Sequence, residues 1–220
     1  MGPSSVRMKR KGEGVVVHGL RGRASNRKAG LRSGFLPLGF GTKLFDFDND
    51  GDLDIWVTNG HVIDNVSLYH PHLSYRQRDQ LYENIGGRFR DVSASSGPVF
   101  RIEHVGRGLA VANYDNDGDL DIAISDSGGR PILARNDGGN RNHWIAVQGR
   151  YGTRVTVTAG GRPQTREITP VGSYLSSSDP RLYFGLGSAA RVERIEILWP
   201  SGKKQTMKNL AAGQIVRLEK

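Results

Sequence analysis

Cysteine is absent from all 220 residues, which excludes disulfides, thiolate nucleophiles and cysteine-zinc sites together and leaves the redox compartment open. No apolar run reaches the length of a membrane span and no apolar h-region follows the basic start, so neither a transmembrane segment nor a signal peptide is expected. Catalytic signatures are missing as well: there is no GxSxG, no HExxH and no phosphate-binding loop. Gly185 to Ala190 fits a GxGxxA dinucleotide pattern, but the apolar run Val192 to Leu198 that follows reads as a strand, so no helix N-terminus awaits a phosphate.

Glycine and basic charge are what the chain has in excess. Its 30 glycines, about twice the usual share, favour short strands joined by tight turns over long helices. The net charge of +9 is confined to the first segment, where ten basic residues between Arg7 and Lys43 face Glu13 alone. Everything after Lys43 is neutral, so the charge belongs to a leader and not to the folded body. Residues 1–33 show no sustained hydrophobic period and are expected to be disordered. No aromatic residue interleaves these charges before Phe35, which removes base stacking and disfavours nucleic acid as a partner.

The body is organised around one acidic loop written twice, DFDNDGDLD from Asp46 and NYDNDGDLD from Asn113. Asp46, Asp48 and Asp50 fall at positions 1, 3 and 5, with Gly51 at 6 and Asp54 at 9; Asn113, Asp115, Asp117, Gly118 and Asp121 repeat them. Alternate residues of a tightly curled loop point inward, the glycine permits the turn, and converging hard oxygens suit calcium. An EF-hand needs a bidentate glutamate at position 12 and flanking helices; here position 12 is Val57 or Ile124, inside alternating apolar segments that read as strands. Asp54 and Asp121 are therefore expected to close each cage, with the carbonyls of Asp52 and Asp119 at position 7. A plain solvated turn would leave four or five acids in nine residues repelling one another, which a cation relieves. Two calcium sites are expected, the first tighter because Asp46 is charged where Asn113 is neutral.

Sliding the chain against itself bounds the repeat. Gly39 and Gly41 match Gly106 and Gly108 at an offset of 67, while Leu81, Asn84, Gly86 and Gly87 match Leu133, Asn136, Gly138 and Gly139 at an offset of 52. The 15-residue difference places an insertion in the first copy, between Val62 and Arg78. Short strands with turn glycines, four to a unit, describe a propeller blade. After Asn142, six or seven short apolar or alternating runs, with a hairpin at Ala159 to Arg162, suggest a compact β-sandwich.

Leu36 to His61, Asp79 to Ser93 and Gly106 to Ser127 resemble the FG-GAP or VCBS repeats of calcium-binding propellers related to integrin α heads. The segments Asn140 to Gln148, Arg154 to Ile168, Gly172 to Ala189 and Arg191 to Gln214 resemble the ASPIC/UnbV domain that follows such repeats in cartilage-acidic-protein-like proteins. The fold this implies is all-β: a partial propeller of about two blades over residues 34–141, then an antiparallel sandwich over residues 142–220. Family members carry about seven blades behind an export signal, so a truncated member is expected, with further blades from missing sequence or another chain as candidate neighbours. The family also implies a secreted or cell-surface protein, although no signal peptide stands in this chain.

The function expected is a non-enzymatic calcium-binding module for contact with an extracellular protein or glycan. Its rival is an enzyme, or enzyme accessory module, that uses a calcium-stabilised propeller as a platform for polysaccharide. A weaker third reading makes the basic leader a tether for nucleic acid or an anionic membrane. His61, His70 and His72 are secondary metal candidates, and Asn65-Val66-Ser67 is a glycosylation sequon.

Overall fold

A computed structural model describes residues 37–170 and 172–219; the basic leader, with the disorder and tether expected of it, lies outside the described residues. Four strands, β1 (Gly39–Phe45), β2 (Asp54–Asn59), β3 (Gln80–Ile85) and β4 (Arg88–Asp91), form an antiparallel meander in chain order. The second copy gives β5 (Gly106–Ala112), β6 (Asp121–Asp126) and β7 (Ile132–Ala134), again in chain order. In both copies the first pair shifts register at its Gly-x-Gly, between Gly39 and Thr42 and between Gly106 and Leu109. Glycine is required there because the two sheets meet: a Cβ on Gly41 would lie 2.7 Å from the Arg107 carbonyl oxygen.

The first copy has the four strands of a blade and the second, among the described residues, three, as the apolar runs of each copy place them. After β7 the chain is pulled aside: the side-chain amide of Asn136 donates to the carbonyl of Phe47 at 2.6 Å, and that of Asn142 to the carbonyl of Asp48 at 2.9 Å. That turn delivers the chain into β8 (His143–Gln148), which belongs to the next sheet.

The remaining strands are β9 (Arg154–Ala159), β10 (Arg162–Glu167), β11 (Leu182–Gly187), β12 (Arg191–Leu198), β13 (Lys204–Ala211) and β14 (Gln214–Arg217). They build two facing sheets, ordered β10-β9-β12-β13 and β11-β8-β14, antiparallel except for β14, which runs parallel to β8. The β9–β10 hairpin turns through Gly160 and Gly161, both at positive φ, where the sequence places it. β13 escapes the sequence reading because it is an edge strand whose polar and basic residues dilute its alternation.

The sheet β11-β8-β14 is used on both faces. Ile145, Val147, Phe184 and Val216 point into the sandwich core with Val155, Val157, Ile195 and Ile197. The alternate residues Ala146 and Tyr183 enter a second core with Phe45, Trp56, Leu81, Leu109, Val111 and Ile122 from the two repeat sheets. The repeat sheets do not close into a ring, and the sandwich packs against them through this second core.

Candidate metal centre

The first acidic loop joins β1 to β2. Its curl is set by short-range hydrogen bonds: the amide of Asp50 donates to Asp48 Oδ1 at 3.2 Å, that of Asp52 to Asp50 Oδ1 at 2.7 Å, and that of Gly51 to Asp46 Oδ2 at 3.0 Å. Asn49 and Gly51 adopt φ of 57° and 95°, the left-handed region that asparagine tolerates and glycine enters freely. Oxygens of Asp46, Asp48 and Asp50 thereby come within 4.8 Å of one another. Asp46 is 1% exposed and its Oδ1 has no hydrogen-bond partner. Burial pushes its carboxyl up to about 7, with Asp50 and Asp48 adding to the rise and Arg166 opposing it. Asp48 and Asp50 are raised by burial and then by neighbouring carboxylates. The converging carboxylates form a geometry and an all-oxygen donor set that fit a hard cation.

Asp54 stands apart from this trio. Its Oδ2 accepts the amide of Phe47 at 3.1 Å and its Oδ1 the amide of Asn84 at 2.8 Å, so it clamps the loop's start to β3. Burial pushes Asp54 up to about 8. The Asp52 side chain turns outward to Arg162 at 3.0 Å.

In the second loop Asp121 makes the same clamp, to the amides of Tyr114 at 3.1 Å and Asn136 at 2.9 Å. The rest differs. Asp115 and Asp117 are exposed, and among the described residues no three carboxylates of this loop converge. Asn113 and Asp119 are buried instead, with both side-chain polar atoms of Asn113 and Oδ1 of Asp119 unpartnered. Burial and the neighbouring Asp117 push Asp119 up to about 7. His61, His70 and His72 form no metal-ligating group among the described residues; His70 and His72 are exposed, and His61 Nδ1 accepts the amide of Ile63.

Comparison with known families now bears on the whole arrangement. Residues 46–124, which hold both loops, match the FG-GAP-like repeat family, and residues 147–220 match the ASPIC and UnbV family. The chain joins an FG-GAP-like repeat to an ASPIC and UnbV domain. Cartilage acidic protein 1 of Homo sapiens is 28% identical over 182 residues, 77% of this chain and 26% of that protein. The Xenopus tropicalis protein of that name is 27% identical over 181 residues, 77% of this chain and 26% of its own length. The chain thus spans about a quarter of the length of the curated relatives it matches.

The ASPIC and UnbV domain grips both loops of the FG-GAP-like repeat. A Cβ on Gly185 would lie 2.2 Å from Asp46 Oδ2, and the amide of Gly187 donates to the carbonyl of Asn49 at 2.9 Å. The Gly185-Leu186-Gly187 run, which resembles a dinucleotide signature, is there so that the first loop can lie against β11. Arg166, largely buried, places a guanidinium nitrogen 3.9 Å from Asp46 Oδ2 and also donates to the carbonyl of Tyr183. Arg181 donates to the carbonyl of Asn113 at 3.1 Å and to Asn116 Oδ1 at 2.8 Å, and the Trp144 indole packs on Gly118. The loops also touch each other, since the Asn49 side chain donates to the carbonyls of Gly118 and Gly139.

Sequence reasoning missed these partners because each lies far along the chain from the loop it holds. A second buried group it missed is Asp79, which binds His104 at 2.7 Å, the Trp56 indole at 2.9 Å and the Thr58 hydroxyl at 2.8 Å. With both residues buried, it fixes the insertion's end against β2. The paired Asn84 and Asn136 of the repeat were a usable signal, since both tether an acidic loop.

Proposed function

We propose that this chain is a non-enzymatic, calcium-binding interaction module that works outside the cell, with calcium locking the FG-GAP-like repeat to its ASPIC and UnbV domain. The observation that carries the reading is the unpartnered, buried Asp46 Oδ1 set among two further converging carboxylates. Asp46, Asp48 and Asp50 would hold the first ion, while Asp54 serves as the loop's clamp. Asn113, Asp115, Asp117 and Asp119 would hold a second, weaker one, with Asp121 as clamp. The bound ion supplies positive charge that offsets a carboxylate cluster raised by burial, and no chemical step is asked of it. The similarity to cartilage acidic protein 1 supports an extracellular protein or glycan as partner. Among the described residues no helix is long and apolar enough to cross a membrane.

Calorimetric titration of the chelator-stripped chain tests this. Dissociation constants of about 0.1 to 1 mM are expected, and tenfold excess over the dissociation constant stabilises the fold by about 1.4 kcal/mol per site. Absence of binding at millimolar calcium would overturn the proposal.

A further inference from the structure

A cavity of about 320 Å³ opens where β1, β5 and the β10–β11 side of the sandwich meet, apart from the converging Asp46, Asp48 and Asp50 carboxylates. Its size is at the small end of organic-ligand sites. Three cations line it, Lys43, Arg166 and Arg181, against two acids, Glu167 and Asp179. The pairing leaves one cation over. Asp179 takes Arg181, whose Nε lies 2.7 Å from its Oδ2, Glu167 faces Arg154 at 3.6 Å, and Arg166 is matched by Asp46.

Lys43 has no carboxylate or hydrogen-bond acceptor among the described residues. Its side chain lines the cavity, where Phe45, Val111 and Leu182 supply an apolar wall and the Ser178 hydroxyl a polar one, and its ammonium lies against Gly172. Burial lowers the ammonium's pKa with no neighbouring acid to restore it. An ammonium desolvated beside two further guanidinium groups is short of an anion.

We propose that this cavity binds a small organic monocarboxylate, with Lys43 holding the carboxylate and the apolar wall taking a body of about one ring. A single negative charge matches the single unpaired cation, and the mixed lining favours an organic acid over a bare inorganic ion. The shared chemistry could come from a hexuronic acid or from an aromatic acid. The carboxylate is held by Lys43 and not by the acidic loops, so titration with and without calcium separates this site from the ion.

The test is titration of the full chain, in saturating calcium and again in chelator, with glucuronate and with benzoate. Methyl glucoside and benzyl alcohol serve as neutral counterparts. At least one acid is expected to bind with a millimolar or tighter dissociation constant while its neutral counterpart does not. Glucuronate alone would identify sugar acids, benzoate alone aromatic acids, and both would identify the carboxylate itself. Lys43→Gln should weaken binding at least tenfold and Lys43→Arg should largely retain it. Glu167→Gln, at an exposed position on the rim, should tighten it two- to threefold and guards against a misfolded Lys43 variant. Failure of both acids to bind, or acid binding unchanged in Lys43→Gln, would overturn the proposal.

Discussion

The two acidic loops share seven of nine letters and yet become different sites. The first is enclosed: Asp46 and Asn49 are buried, Gly185 and Gly187 of β11 lie against it, Asn136 and Asn142 hold its carbonyls, and Arg166 sits beside its first aspartate. The second keeps Asp115 and Asp117 in solvent and turns Asp119 inward. A local code of alternating oxygens and one glycine sets the curl of both loops, and the surface packed against each decides which oxygens converge. The sandwich is therefore part of the site, and not an appendage to it.

Removing the charge that the sandwich lends to the first loop should have the largest effect. Arg166→Met leaves Asp46 buried without its counter-charge, an imbalance that costs about 3–5 kcal/mol in buried pairs. The loss should appear as a lowered Tm in chelator and be partly recovered by calcium, because the ion then meets no competing guanidinium. An unchanged Tm in chelator would show that Arg166 does not compensate Asp46.

The loop glycines should separate next. Gly118→Ala drives a Cβ to 1.9 Å from Trp144 Nε1, whereas Gly51→Ala meets Gln164 Nε2 at 3.1 Å and the Gly185 carbonyl oxygen at 3.3 Å. Both residues have positive φ, 112° and 95°, so backbone strain of about 1 kcal/mol is common to them and overpacking adds about 1–3 kcal/mol for Gly118 alone. Thermal unfolding of the two variants measures the difference, and equal losses would show that the Trp144 contact yields freely.

Exchanging the first letters should have its clearest effect on ion binding. Asp46→Asn should weaken the tighter site about tenfold, roughly 1.4 kcal/mol, by removing one ligand charge. Asn113→Asp should tighten the weaker site while lowering stability in chelator, since it buries a new carboxylate. Calorimetry that finds the first exchange silent would separate affinity from ligand charge.

What the sequence made legible was local. Alternate aspartates, turn glycines and period-2 apolar runs placed the loops and most strands, because each depends on residues a few positions apart. The amides that Asp54 and Asp121 accept, of Phe47 and Asn84 or of Tyr114 and Asn136, were not legible, because they are set by how the loop folds back on the third strand. What ends the second copy after its third strand was equally hidden, because Asn136 and Asn142 divert the chain through contacts made about 90 residues away. Gly185 and Gly187 carried a visible pattern whose reason lay in the loop they admit.

The most direct measurement is an anomalous difference map from crystals of the chain grown in millimolar calcium. A peak about 2.3–2.6 Å from oxygens of Asp46, Asp48 and Asp50, stronger than any peak in the second loop, is the expected result. A map with no peak in the first loop, or with the second loop alone occupied, would contradict the assignment of the enclosed loop as the principal calcium site.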